Sequence, residues 1–69
     1  MRDKYLRQAV LDELTWESKV DAAQIVVTVK HGIVTLTGGV GTYAEKFAAV
    51  DTAWLAPGVT HVEDRLAVI

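Results

Sequence analysis

Ile25-Val-Val-Thr-Val-Lys30, then His31-Gly32, then Ile33-Val-Thr-Leu-Thr-Gly-Gly-Val40 read as two strands joined by a two-residue turn. A hairpin with that loop pairs Lys30 with Ile33, Val29 with Val34, Val27 with Leu36 and Ile25 with Gly38. Side chains alternate faces along a strand. This register therefore collects Ile25, Val27, Val29, Val34 and Leu36 on one wholly apolar face. Val26, Thr28, Lys30, Ile33, Thr35 and Thr37 fall on the other, which is β-branched and half polar. One register satisfies both strands. Nothing in the segment has the character of a catalytic site, so it speaks to fold before function.

Working outward, Asp3 is a candidate N-cap for a first helix reaching about Leu14. Its apolar face is Leu6, Val10 and Leu14, at i, i+4, i+8 spacing. Bases lie early in this helix (Arg2, Lys4, Arg7) and acids late (Asp12, Glu13), against the helix dipole, so packing must hold it. Residues 15–24 form a connector, with Trp16 and Val20 expected to anchor it in the core. Asp21 is expected to cap a short turn, with Gln24 reaching back in a capping box.

Beyond the hairpin, Thr42-Tyr-Ala-Glu45 is a capping-box pattern for a second helix to about Ala56, ended by Pro57-Gly58. Val59 to Ile69 returns as a third strand, with Val62, Leu66 and Val68 on one face. Asp64 shares that face, which requires a sheet end or a bond to a backbone amide. The order is αββαβ. The long connection from second to third strand makes those two parallel, and the hairpin pair is antiparallel. The expected fold is α+β: a two-layer sandwich with a three-stranded mixed sheet and both helices on one face.

Composition bounds the rest. Sixty-nine residues make a single domain, 1–69, which buries only about 60% of its unfolded surface. Without cysteine it has no disulfide and no thiolate metal site. A 51% hydrophobic content supplies a core. A net charge of -2 gives no global attraction to nucleic acid or anionic lipid. No apolar run approaches the roughly 20 residues of a membrane span, and the start has no signal-peptide region. That leaves a cytoplasmic protein or a segment of a longer, multi-domain one. The strand-like ending Leu66-Ala-Val-Ile69 favours the segment.

In order along the chain, the informative residues are Asp3 with Leu6 and Val10, Leu14-Thr-Trp16, Val20-Asp21 and Ile25-Val-Val-Thr-Val29. Gly32-Ile-Val-Thr-Leu-Thr-Gly38 with Val40 is the most specific piece. Tyr43-Ala-Glu45, Ala49, Ala53, Pro57-Gly-Val59, Val62 and Leu66-Ala-Val68 complete the set. This ordered set, spanning nearly the whole chain, resembles the BON domain, named for bacterial osmotically inducible and nodulation-related proteins. The resemblance implies an αββαβ module, often in several copies, proposed to bind phospholipid surfaces or envelope components and not known as an enzyme. It implies the periplasm or cell envelope as location, and a structural role for Gly32, Gly38 and Gly58. Sister domains are the alternative partner. It carries no catalytic residue and implies no cofactor.

One departure from the resemblance is informative. Positions 47, 50 and 54, commonly polar in similar domains, are here Phe47, Val50 and Trp54, on one helical face beside the separate stripe Ala49, Ala53 and Ala56. The small residues are expected to face the sheet. Phe47, Val50 and Trp54 then either complete the core under the first helix or form an exposed apolar patch, a partner or membrane site that Tyr43 extends. Lys46, with Arg2, Lys4 and Arg7, is a candidate set of bases for an anionic bilayer. The hairpin's polar face and the sheet edges are a second candidate surface, against a solvated open face as the plainer reading.

Other constellations are weaker. Gly39-Val-Gly41-Thr-Tyr-Ala44 matches the dinucleotide pattern G-x-G-x-x-A, with Asp64 about twenty residues on. The strand before it belongs to a hairpin, however, and the chain is too short for paired βαβαβ halves. The exposed amides of Thr42 to Ala44 could take an anion, with Glu45 placed to occupy or repel it. Gly38-Gly-Val-Gly41 reads as the G-x-x-G loop of RNA-binding KH domains, but joins a strand to a helix and lacks basic surroundings. No nucleic-acid partner is expected. His31 and His61 have no ligand partners at metal-site spacing, so no metal is expected. His31 reads as a turn residue at positive φ. Ser18, the sole serine, has no nucleophile elbow around it.

Overall fold

A computed structural model describes residues 2–69. The hairpin strands β1 (Ile25–Lys30) and β2 (Ile33–Val40) pair antiparallel in the register read above, from Ile25↔Gly38 to Lys30↔Ile33. His31 (φ 53°) and Gly32 (φ 81°) supply the two left-handed residues of the turn, as a type I′ connection requires. At the far end Gly38 has φ 127°, and a Cβ there would lie 2.1 Å from the Gln24 carbonyl oxygen. No residue but glycine fits that crossing. Gly58 likewise stands at positive φ in the turn after the second helix.

Helix α1 (Arg2–Trp16), a short 3-10 turn (Ala22–Gln24), α2 (Tyr43–Trp54) and strand β3 (His61–Val68) complete the fold. β3 pairs parallel with β2, giving the sheet order β1-β2-β3. One core lies between the layers: Leu6, Val10 and Leu14 of α1, Ala49 and Ala53 of α2, and Ile25, Val27, Val34, Leu36 and Leu66 from the sheet. Both helices therefore cover one face of a mixed sheet. The other face leaves Val26, Thr28, Lys30 and Ile33 exposed. The α2 contribution is small-sided, which lets that helix approach the sheet closely.

Several local expectations need correction. Asp3 is not the cap of α1, because the helix has already begun at Arg2. Its Oδ2 instead accepts the His31 N–H at 3.1 Å. One turn later, Arg7 Nε donates to the Val27 carbonyl at 3.0 Å. The pair at i, i+4 fastens α1 to the hairpin turn and to the β1 edge. α1 also runs two residues past Leu14, to Trp16. That continuation carries Trp16 about 200° around the helix from Leu14. It is 87% exposed rather than a core anchor. Val20 does enter the core.

Asp21 caps the 3-10 turn, its Oδ1 accepting from Ala23 N, but Gln24 does not reach back. The Asp21 amide is taken by Glu45 Oε2 of α2 at 3.0 Å. α2 ends at Trp54 rather than Ala56, and β3 starts at His61 rather than Val59. The awkward Asp64 resolves in one of the ways its position required: Oδ1 accepts the Leu66 N–H at 3.0 Å.

Candidate functional surface

Thr42 opens α2, its Oγ1 accepting the Glu45 N–H at 3.0 Å. Glu45 answers one residue further back than a standard capping box: Oε1 accepts from Gly41 N at 2.9 Å. With the bond from Asp21, this carboxylate holds two backbone amides. Those bonds, Asp21 first and Gly41 second, hold its pKa below the ordinary value. A carboxylate thus already occupies the amide-rich turn where the dinucleotide-like glycines lie. Phosphate would have to displace it against like charge. Among the described residues no group of histidines and acids is placed to hold a metal.

The helix then presents two faces. At 100° per residue, Tyr43, Phe47, Val50 and Trp54 fall within about 60° of one another. Ala49 and Ala53 lie about 110° from the middle of that stripe and are fully buried. Tyr43 (65% exposed), Phe47 (61%) and Trp54 (47%) stand open, while Val50 is half-buried against the core. Of the two alternatives, then, Phe47 and Trp54 do not complete the core. Leu55, just past the helix, is also exposed. Trp54 packs edge-on against His61 of β3, ring centroids 6.4 Å apart.

The structure adds two residues that sequence reasoning missed. Tyr5 and Trp16 of α1 are exposed on the side of that helix away from Leu6, Val10 and Leu14. A shallow groove lined by Arg2, Tyr5, Ala9, Pro57 and Thr60 places Tyr5 beside the turn that follows α2. The spacing of Tyr5 and Trp16, i to i+11, brings them to one helical face. That was the available signal, and reading 15–24 as a connector hid it. Every aromatic residue of the chain is thus exposed, each on a helix, and none belongs to the core.

The candidate bases are less free than their sequence positions suggest. Lys46 Nζ lies 3.7 Å from Asp64 Oδ2, with both side chains about three-quarters buried. Arg7 is committed to the β1 edge. Arg2 and Lys4 remain at the start of α1, both exposed or nearly so. No described helix is long and apolar enough to cross a membrane. In comparison with known proteins, the family model for the BON domain matches residues 2–69. No curated protein matches the chain with significant similarity.

Proposed function

The chain belongs to the BON domain family, and we propose that it works as a non-catalytic binding module at phospholipid membrane surfaces or cell-envelope components. Osmotic or envelope stress and transport-associated assemblies of the bacterial periplasm are the settings this reading implies. Its contact surface is the outer side of α2, from Tyr43 through Phe47 and Val50 to Trp54, with Lys46 at its margin and Tyr5 and Trp16 on α1. One observation carries it: all the aromatics of the chain are outside, on the helix layer, and the hydrophobic core contains only leucine, isoleucine, valine and alanine, with Thr52 the one buried polar residue among those described. Aromatic rings with a polar edge favour the boundary between headgroups and acyl chains, and a peripheral helix binds there by burying such a face.

Charge contributes little to this contact, because Lys46 is paired with Asp64 and Arg7 is bonded to the Val27 carbonyl. Flotation with phosphatidylcholine and phosphatidylglycerol vesicles tests the reading. The domain should float, and Trp54→Glu should leave it at the bottom of the gradient while its circular dichroism is unchanged. A wild-type domain that stays with neither vesicle removes the membrane reading. The alternative, docking against sister domains, is favoured by a different observation: Val26 and Ile33 are exposed on the uncovered sheet face. In that case Val26→Lys weakens association with a neighbouring domain and Trp54→Glu does not.

A further inference from the structure

The sheet has two free edges, and each carries a side-chain block. At β1, Arg7 covers the Val27 carbonyl, and the strand is only six residues long. β3 is longer, with β2 as its sole strand neighbour among the described residues. The bond from Ile69 N to the Val40 carbonyl shows that the odd-numbered residues of this segment turn their backbone groups toward β2. Val62, Asp64, Leu66 and Val68 therefore turn theirs outward, to the open edge. At its centre Asp64, a charge on the core-facing side of an edge strand, takes the Leu66 N–H with Oδ1 and faces Lys46 with Oδ2. An inward-pointing charge and an occupied amide are recognised ways of closing an edge to strand addition.

We infer that β3 is a self-complementary edge held shut by Asp64, and that the partner it excludes is a second copy of this chain. The strand reads Val62-Glu-Asp-Arg-Leu66. Turned antiparallel on itself about Asp64, it sets Val62 opposite Leu66 and Glu63 opposite Arg65 of the other copy. It sets Asp64 opposite Asp64. The outward-facing residues meet each other in this register, as an antiparallel ladder requires. Apolar and opposite-charge cross-strand pairs favour it; a carboxylate pair at the two-fold axis opposes it. Asp64 is the only one of these residues that opposes the pairing, and it also withholds the Leu66 amide. Of the helix surface proposed for membranes, the strand pairing involves only Lys46, the partner of Asp64.

The test uses the whole chain. Sedimentation of Asp64→Ala, with Asp64→Val as a second variant suited to a strand, should show the apparent mass doubling with concentration. Hydrogen exchange at the Val62 and Leu66 amides should slow in step with that rise. In the Asp64→Ala background, Glu63→Arg should return the protein to monomer by opposing two cations. Adding Arg65→Glu should restore the dimer. The wild type should leave the Val62 amide unprotected at every concentration. Monomeric Asp64 variants, association indifferent to the charge swaps, or a wild type already protected at Val62 would each overturn the inference.

Discussion

Leu14 and Trp16 lie two residues apart on one helix and meet opposite surroundings. Leu14 is completely buried against the sheet, whereas Trp16 is the more exposed of the two tryptophans. The same division runs through both helices. Inner faces hold leucine, valine and alanine; outer faces hold every aromatic ring. A small domain without disulfides would ordinarily bury its largest apolar side chains, since each aromatic removes the most area from water. Here the core is built without them. What the contrast teaches is that stability and surface chemistry have been assigned to different residues, so each can be disturbed with little effect on the other.

The largest effect belongs to the inner side. Gly38→Ala places a methyl group on the Gln24 carbonyl at a backbone angle that L residues rarely adopt. It should cost on the order of 4 kcal/mol or more, most of the stability of a domain this size. A cooperative thermal transition near that of the wild type would break this reading. Next comes Leu14→Ala, which should cost about 2–5 kcal/mol in urea unfolding. Trp16→Ala should change stability by no more than about 0.5 kcal/mol. Similar losses from the two would erase the contrast between inner and outer faces.

Glu45 sharpens the comparison at the junction of the layers, where it ties the start of α2 to Asp21 and Gly41. Its folded pKa is depressed below the ordinary 4.5. The stabilisation is therefore fully present above that ordinary value and is lost as pH falls through the lower folded one. Glu45→Gln should lower the melting temperature modestly at neutral pH, and the gap to wild type should close on acidification through that window. A gap that persists in strong acid would mean the charge is not the cause. A last comparison concerns lipid charge, read on binding rather than on stability. With only Arg2 and Lys4 uncommitted among the candidate bases, replacing neutral by anionic vesicles should strengthen binding by about 2 kcal/mol at most. A steep salt dependence would mean that bases beyond Arg2 and Lys4 take part in the contact.

Much of the fold was legible without coordinates. The hairpin register, the sheet-facing alanines and the positive-φ His31 follow from rules that act over a few residues, and the parallel return of β3 from the length of the helical crossover before it. Of the surface, Phe47, Val50, Trp54 and Tyr43 were legible as a stripe, but not as exposed or buried. Trp16 was not legible as a surface residue, since its position depends on where α1 stops; Tyr5 lay off the apolar face of the expected helix, but without Trp16 it had no partner on that side.

Local patterning was enough to say how successive strands pair. Period-two alternation and a two-residue turn admit one register, and a family pattern spans the whole length. Which way the aromatics face, which candidate bases are free and what Asp64 does emerge only once the helices are packed on the sheet. Those answers rest on contacts between residues far apart in the chain: Asp3 with His31, Arg7 with Val27, Glu45 with Asp21, Lys46 with Asp64. A side chain's partners across the fold depend on how two helices settle on one sheet, and no local periodicity encodes that.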